Sequence, residues 1–181
     1  MNSGDAKGHL RWKELALNSI APSVGDYDGA GASDAKDALT VVCFSIGAEE
    51  FAIPVSDAVE VIKPRPLVPV PNMPDYIRGI LCHRGEMLTV VDFRRRLGLS
   101  HPDHDADARI LIVSCWDIKA GSFVEKMGGV REVPKASVRD AGKGAEGRFA
   151  GFVKGVLESE GKEIYLLDTY SMVDPHAAYE Q

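Results

Sequence analysis

A segment of 16 residues occurs twice in this chain, and this repeat constrains the fold more than any other feature. Residues 77–92 return without a gap as residues 153–168, 76 positions later. Two glycines, one leucine and the closing aspartate are identical in the copies, and most other positions exchange similar residues. A weaker match, 72 positions apart, links residues 51–61 with 123–133. The chain is therefore predicted to contain two copies of one small unit, and positions where the copies differ are candidates for function.

Each copy of the repeat is predicted to form a β-hairpin. Apolar runs flank a polar tetrad whose third member is glycine, Gly85 in the first copy and Gly161 in the second. Glycine at that place supplies the positive φ that a tight turn requires. Arg84 and Glu160 therefore lie at the hairpin tips, where one copy has a cation and the other an anion. From the pattern alone, both can be solubilising turn residues.

The rest of the sequence predicts short strands and single-turn helices. Apolar alternation predicts two strands joined by a turn at Gly47, and Ser56 is positioned to cap one helical turn. The prolines of residues 64–74 require an extended chain, because proline donates no ladder hydrogen bond. Asp92 and Asp168 are predicted to cap short helices after the hairpins. The other predicted strands are 40–46, 50–55, 109–115, 122–126 and 130–133. This order indicates an all-β fold of two small barrels packed together, with short connecting helices.

The first 38 residues differ in composition from the rest of the chain. Residues 10–17 are compatible with a short helix, and the glycine- and aspartate-rich stretch 25–37 reads as a linker. We therefore expect residues 1–38 to be a flexible leader that folding does not require. The domain is predicted to span 39–175, with barrels at roughly 39–107 and 108–173 and a tail at 176–181.

Composition and charge exclude several classes of function. The chain has 181 residues and a net charge of −6, and its basic residues are scattered apart from Arg94, Arg95 and Arg96. Nucleic acid is therefore not an expected partner, because phosphate binding requires a basic face. No apolar run approaches the length of a membrane span, and the N-terminus lacks the apolar core of a signal peptide. We expect a cytoplasmic protein with no direct membrane insertion.

No set of residues in the sequence predicts catalysis. Asp92 and Asp168 are better explained as helix caps than as paired catalytic carboxylates, since both follow a hairpin of the repeat. His101 and His104 lie near two aspartates in a predicted loop, which can chelate a metal weakly but is more typical of a solvated loop. We therefore expect no enzyme, no cofactor and no metal. Cys43, Cys82 and Cys115 each fall within a predicted strand and are predicted to be buried free thiols.

Three blocks of the sequence resemble the CheW family of bacterial chemotaxis coupling proteins. The blocks span residues 51–62, 69–80 and 84–98, and they occur in the family's order and with family-like spacing. The resemblance extends from about Leu39 to Val173. It implies a pair of five-stranded SH3-like barrels without catalytic activity. It also implies an adaptor that bridges the cytoplasmic tips of methyl-accepting chemoreceptors to the histidine kinase CheA, through that kinase's CheW-like regulatory domain, and that is recruited to membrane receptor arrays.

The resemblance also implies a receptor-binding surface. Arg84 matches the arginine of the family's Arg-Gly turn, which belongs to that surface, and Val59, Glu60, Arg78 and Gly79 match other positions of it. Two of these residues have structural alternatives. Val59 is equally compatible with the core, and Gly79 with a close approach of two strands.

Departures from the family pattern leave the receptor and the pathway open. The chain has Cys82-His83 where the family usually has Asn-Leu, and Val124-Glu125 where the second barrel usually has Val-Asp. One alternative is an adaptor of another chemosensory-like system, such as surface motility or gene regulation. Another alternative, from a different class, is a small-molecule binder that uses the cleft between the barrels.

Overall fold

The computed structural model describes residues 37–99, 108–141, 149–159 and 161–174, which form two β-sheets and three short helices. The all-β prediction is confirmed: the chain forms two small β domains. The strands are β1 Ala38–Ile46, β2 Glu49–Pro54, β3 Ala58–Ile62, β4 Ile77–His83, β5 Glu86–Val91, β6 Arg109–Cys115, β7 Ile118–Val124, β8 Lys126–Pro134, β9 Arg139–Asp140, β10 Val153–Ser159 and β11 Lys162–Leu167. The α-helices are α1 Phe93–Arg96 and α2 Thr169–Val173, and Lys135–Ser137 form a 3-10 turn.

Each sheet contains strands from both copies of the repeat. The first sheet has the strand order β8-β1-β2-β11-β10-β9, and the second sheet has the order β3-β6-β7-β5-β4. Mapping β1 to β5 of the first copy onto β6, β7, β8, β10 and β11 of the second copy converts one order into the other, apart from the two-residue β9. The sheets are therefore related as the copies are.

The predicted barrel boundary at 107/108 divides the two copies of the sequence, but each sheet contains strands from both sides of that boundary. The hairpin β10–β11 of the second copy joins β2 in parallel, and the hairpin β4–β5 of the first copy joins β7 in parallel. The two copies thus exchange hairpins. A repeat in sequence does not reveal this exchange, because pairing within a copy and pairing between copies offer a strand the same kind of partner.

The two sheets pack against each other through a shared apolar core. Val42 and Phe44 of β1 face this core together with Leu111 and Val113 of β6. The alternate residues of both strands face the interiors of their own sheets. Because both faces of β1 and β6 are buried, these strands are almost continuously apolar.

The two repeat hairpins agree in detail. Each has a bulge after its first residue, between Ile77 and Gly79 in one and between Val153 and Gly155 in the other. Asp92 begins α1 as predicted, and its carboxylate accepts a hydrogen bond from the backbone N–H of Arg95 at 3.2 Å. Asp168 lies at the N-cap of α2, but its carboxylate accepts from the Ser171 hydroxyl instead, at 2.8 Å.

Three predictions of local structure were wrong. No helix follows Ser56, because the N–H groups of Asp57 and Ala58 close two tight turns on the carbonyls of Pro54 and Val55. The segment 122–126 is the junction of β7 and β8, not one strand.

The third wrong prediction concerns the thiols: Cys43 is buried, Cys115 is half-buried and Cys82 is exposed. Cys82 lies between the buried Leu81 and His83 on β4, so alternation along the strand turns it to solvent. The predictions for residues 1–36, His101 and His104, the loop 142–147, Glu160 and the tail lie outside the described residues.

Candidate functional site

The five residues of the predicted receptor-binding surface all belong to the second sheet. Val59 and Glu60 lie on β3, Arg78 and Gly79 lie on β4, and Arg84 follows β4 in the hairpin turn. Strands β3 and β4 are the opposite edges of this sheet. Glu60 nevertheless contacts Arg84, so the sheet curls until its edges meet at this end, as in a small barrel.

The turn that carries Arg84 is a two-residue hairpin turn. Arg84 has φ of 51° and Gly85 has φ of 84°. Positive φ at both central residues is the pattern of a type I′ turn, whose twist matches that of the flanking strands. The Arg84 side chain is 60% exposed. The backbone therefore fixes this residue at the hairpin tip, while the fold itself does not require a guanidinium there.

Glu60 is held from two sides by the end of β4. Arg84 donates from Nη2 to Glu60 Oε1 at 3.0 Å, and His83 Nε2 lies 3.2 Å from Glu60 Oε2. His83 is only 5% exposed, and its Nδ1 has no hydrogen-bond partner among the described residues. An exposed ion pair contributes only about 0–1 kcal/mol to stability, so the contact with Arg84 mainly orients the two side chains.

The contribution of His83 was missed by sequence reasoning, which treated it as a turn residue beside Arg84. The signal was present in the strand period. His83 follows the buried Leu81 by two residues, so a strand that extends to the turn directs both side chains into the second sheet.

Gly79 has a structural role. Its φ of 140° is one that other residues rarely adopt, and a Cβ at this position would lie 2.5 Å from the carbonyl oxygen of Val68. Val68 and Ile80 exchange two backbone hydrogen bonds there, of 2.8 and 2.9 Å. The alternative interpretation of Gly79, a close approach of two chain segments, is therefore correct for its backbone.

Arg78 lies apart from the cluster of Glu60, His83 and Arg84, and Val59, although next to Glu60, belongs to the apolar packing. Val59 is half-buried and packs against the apolar interior of the second sheet. Arg78 is next to the bulge of β4, with its guanidinium 3.8 Å from the buried carboxylate of Asp92. Arg84 follows Arg78 by six positions along the strand, which corresponds to about 20 Å.

A second ion pair borders the same end of the sheet. Lys119 of β7 donates to Glu86, the first residue of β5 after the turn. This hydrogen bond, together with the positive charge of Lys119, lowers the pKa of the Glu86 carboxyl. Met87 beside it is largely exposed. The end of the second sheet thus presents charged groups of both signs around an apolar side chain.

The arginine run 94–96 does not form a basic face. Arg94 is buried and paired with Glu125, and Arg95 lies 3.6 Å from the carboxylates of both Asp75 and Asp92. Arg96 is also buried, and it donates to the backbone carbonyls of Ser171 and Asp174 at the end of α2. The run therefore joins structural elements to each other.

The described parts of the chain contain neither a cluster of metal-ligating side chains nor a membrane-spanning helix. Within them, no three or more histidine, cysteine, aspartate or glutamate side chains are arranged to hold a metal ion. Within the same residues, no helix is long and apolar enough to cross a membrane.

Comparisons with known proteins agree on one family. The sequence model of the CheW-like domain matches residues 40–175. The chemotaxis protein CheW of Bacillus subtilis is 23% identical over 146 residues, which cover 81% of this chain and 94% of that protein. CheW of Helicobacter pylori is 32% identical over 99 residues, and the match covers 55% of this chain and 60% of that protein.

Other similar proteins include FrzA of Myxococcus xanthus, which is 27% identical over 136 residues that cover 75% of this chain and 84% of FrzA. The crystal structure of the scaffolding protein TtCheW from Thermoanaerobacter tengcongensis matches with a TM-score of 0.70 and 26% identity. That match covers 74% of this chain and 91% of the TtCheW chain.

Proposed function

Because the chain belongs to the CheW-like family, we propose that it is a non-catalytic adaptor that couples chemoreceptors to a CheA-type histidine kinase in chemotaxis signalling. The family match spans both sheets, so the proposal concerns the whole folded domain. One observation carries the proposed site: an exposed guanidinium, Arg84, is fixed at a hairpin tip where the fold does not need it.

The proposed receptor contact is centred on Arg84 and Glu60. Glu60 holds the guanidinium at the tip through one carboxylate oxygen, while His83 fixes the other oxygen from the interior. A preoriented arginine loses little side-chain entropy on binding and can donate to acidic or carbonyl groups of a receptor tip. Arg78 adds a second cation on the same strand, and Val59 and Gly79 maintain the shape of the surface.

The kinase is proposed to bind elsewhere on the domain. The regulatory domain of a CheA-type kinase is expected to be a similar pair of barrels, and open sheet edges together with apolar loops suit the docking of one barrel on another. We place the protein in the cytoplasm, with recruitment to membrane receptor arrays through these two contacts.

A second candidate function has support from particular relatives. FrzA of Myxococcus xanthus and PilI of Pseudomonas aeruginosa are similar to this chain, and neither has a chemotaxis name. An adaptor of another chemosensory pathway would use the same fold and the same kinds of surface. Binding to receptors and kinases from each type of pathway, measured side by side, distinguishes the two functions.

The test is a pair of titrations with the full-length protein. One uses a receptor cytoplasmic fragment and the other a CheA-type regulatory domain, and both should show binding. Arg84→Glu should weaken receptor binding by more than about tenfold, since loss of an interfacial arginine commonly costs about 2 kcal/mol or more. Kinase binding should be retained.

The matched control is Arg139→Glu. Arg139 lies on the first sheet, its side chain is also 60% exposed, and it pairs with Glu163 at 2.8 Å. The same charge reversal there should leave the receptor titration unchanged. Equal effects of the two substitutions would remove Arg84 from the proposed site. Failure of the wild-type protein to bind either partner at micromolar concentrations would contradict the adaptor function.

A further inference from the structure

Two equivalent turns of the two sheets contain very different residues. The β1–β2 turn is closed by the strand pair Ile46 and Glu49, and the β6–β7 turn is closed by the strand pair Cys115 and Ile118. Each is a two-residue turn in which only the first central residue has positive φ, 64° in the first sheet and 53° in the second. This is the pattern of a type II′ turn, which prefers glycine at that place.

The first sheet has Gly47 at this position, whereas the second sheet has Trp116. A bulky side chain with positive φ is a genuine outlier, and such a backbone is strained. The Trp116 side chain gains little burial in return, since the residue is 85% exposed. Packing within the described domain therefore does not explain a tryptophan at this turn.

The surroundings of the two turns differ as well. Beside Gly47, the buried Arg94 of α1 pairs with Glu125, which also accepts a hydrogen bond from the Gly47 N–H at 3.0 Å. The Arg94–Glu125 ion pair is therefore bound to the backbone of this turn. The residue of α2 that corresponds to Arg94 is Tyr170, which is 39% exposed.

A groove of about 670 Å³ remains beside the second turn, and it is lined by Trp116, Asp117, Ile118, Asp168 and Tyr170. The lining combines two aromatic rings with two carboxylates. An occupant that suits this groove has apolar side chains next to basic ones.

We propose that residues 10–17 of this chain's own leader dock in this groove. The segment contains Leu10, Trp12, Leu15 and Leu17, interleaved with Arg11, Lys13 and Glu14, and its net charge is +1. Its apolar side chains complement the aromatic rings of the groove, and its two cations complement Asp117 and Asp168.

The chain enters the domain at the end where the groove lies. Leu166 of β11 pairs with Ala52 of the parallel strand β2. Two residues further along both strands, Asp168 lies level with Pro54. Pro54 pairs in turn with Val41 of β1. β1 begins at Ala38, three residues earlier. Roughly 20 residues connect the segment to this strand and can extend over about 60–70 Å, which exceeds the diameter of the domain.

A tether also makes weak docking effective. A short flexible connection gives the docking segment an effective concentration in the millimolar range, so a contact with millimolar affinity is occupied about half of the time. Docking of this strength is compatible with a leader that folding does not require.

The test uses fluorescence of the full-length protein. The chain has two tryptophans, so Trp12→Phe leaves Trp116 as the single reporter and preserves an aromatic ring in the leader. In this background, Leu10→Ser with Leu15→Ser should raise the acrylamide quenching of Trp116 by roughly twofold, because undocking exposes the indole to solvent. The emission maximum should move to longer wavelength.

A second variant tests the charges, and a third is the control. Arg11→Glu with Lys13→Glu should give the same rise in quenching, and Val24→Ser, between the segment and the linker, should give none. Identical quenching in all three variants would overturn the proposal. Protection of Trp116 that disappears on dilution would also overturn it, in favour of docking between two copies of the chain.

Discussion

The two copies of the repeat use the same backbone to hold different charges. In the first copy, His83 at the end of β4 contacts Glu60 on the edge strand β3. In the second copy, the corresponding Ser159 accepts a hydrogen bond from Arg131 on the edge strand β8, at 2.7 Å. One sheet thus positions a carboxylate beside its hairpin tip, and the other positions a guanidinium.

The helices after the hairpins also differ at an equivalent position, where one copy has a charged residue and the other an apolar residue. Arg96 of α1 corresponds to Met172 of α2, and both are buried. The methionine packs in the shared core, whereas the arginine joins the helices, with its guanidinium 4.4 Å from the ring centre of Tyr76. This comparison separates the two kinds of position: what the copies share is required by the fold, and what differs is available for function or for joining the copies.

Arg96→Met gives α1 the residue that α2 has at the equivalent position, and it should strongly destabilise the domain. The substitution leaves the carbonyls of Ser171 and Asp174 without their donor. Hydrogen bonds to charged groups contribute about 1.5–3 kcal/mol each, so we expect a loss of about 3 kcal/mol in the free energy of unfolding, measured with urea. Arg95→Met, at a half-exposed neighbour with longer contacts, is the control and should cost less than about 1 kcal/mol. Equal losses would show that Arg96 does not join the helices.

The glycines that the copies share should differ in their tolerance of alanine. At Gly79 a Cβ would lie 2.5 Å from a backbone oxygen and φ is 140°, whereas at Gly155 a Cβ would lie 2.5 Å from a methyl group of Val138 and 3.1 Å from the Arg139 carbonyl oxygen. A side chain can move, so Gly79→Ala should cost about 2–3 kcal/mol and Gly155→Ala about 1 kcal/mol less. Thermal unfolding of the two variants measures the difference. The reverse order would contradict the strand approach described at Gly79.

His83→Leu tests whether the contact of His83 with Glu60 positions the Glu60 carboxylate in the first copy. The substitution removes a buried nitrogen that has no partner in the described chain, so the free energy of unfolding should change by less than about 1 kcal/mol, in either direction. Receptor binding should nevertheless weaken by roughly threefold, because Glu60 and Arg84 lose a positioning contact. Unchanged binding together with an unchanged melt would limit His83 to packing.

The three thiols should react in the order of their exposure. Burial raises the pKa of the Cys43 thiol, and burial together with the charges of Asp57 and Asp168 raises the pKa of the Cys115 thiol. A raised pKa leaves less thiolate at pH 8, so both should react with iodoacetamide more slowly than the exposed Cys82 and should gain rate as the pH rises. Mass spectrometry of the alkylated peptides gives the order. Faster labelling of Cys115 than of Cys82 would contradict the orientation of β4.

Local features of the fold could be predicted from the sequence because they depend on neighbouring residues. The turn glycines 85 and 161, the alternation along β2 and the cap at Asp92 each act within a few residues, and the structure contains the predicted elements. The exchange of hairpins could not be predicted, because each strand finds an equivalent partner within its own copy or in the other. The contact of His83 with Glu60 depends on closure of the sheet, and the groove at Trp116 depends on a helix more than 50 residues away.

The two repeat hairpins share their strands, their bulge and a turn glycine, and we propose receptor binding for the first hairpin alone. The most direct measurement is a receptor titration and a thermal melt of two reciprocal variants, Arg84→Glu and Glu160→Arg. The melt of Arg84→Glu should remain close to that of the wild-type protein, since exposed substitutions usually change stability by within about 0.5 kcal/mol. The sequence repeat predicts the same for Glu160→Arg. Arg84→Glu alone should lose receptor binding, and the double variant should not regain it. Equal loss in both single variants, or no loss in Arg84→Glu, would contradict the account.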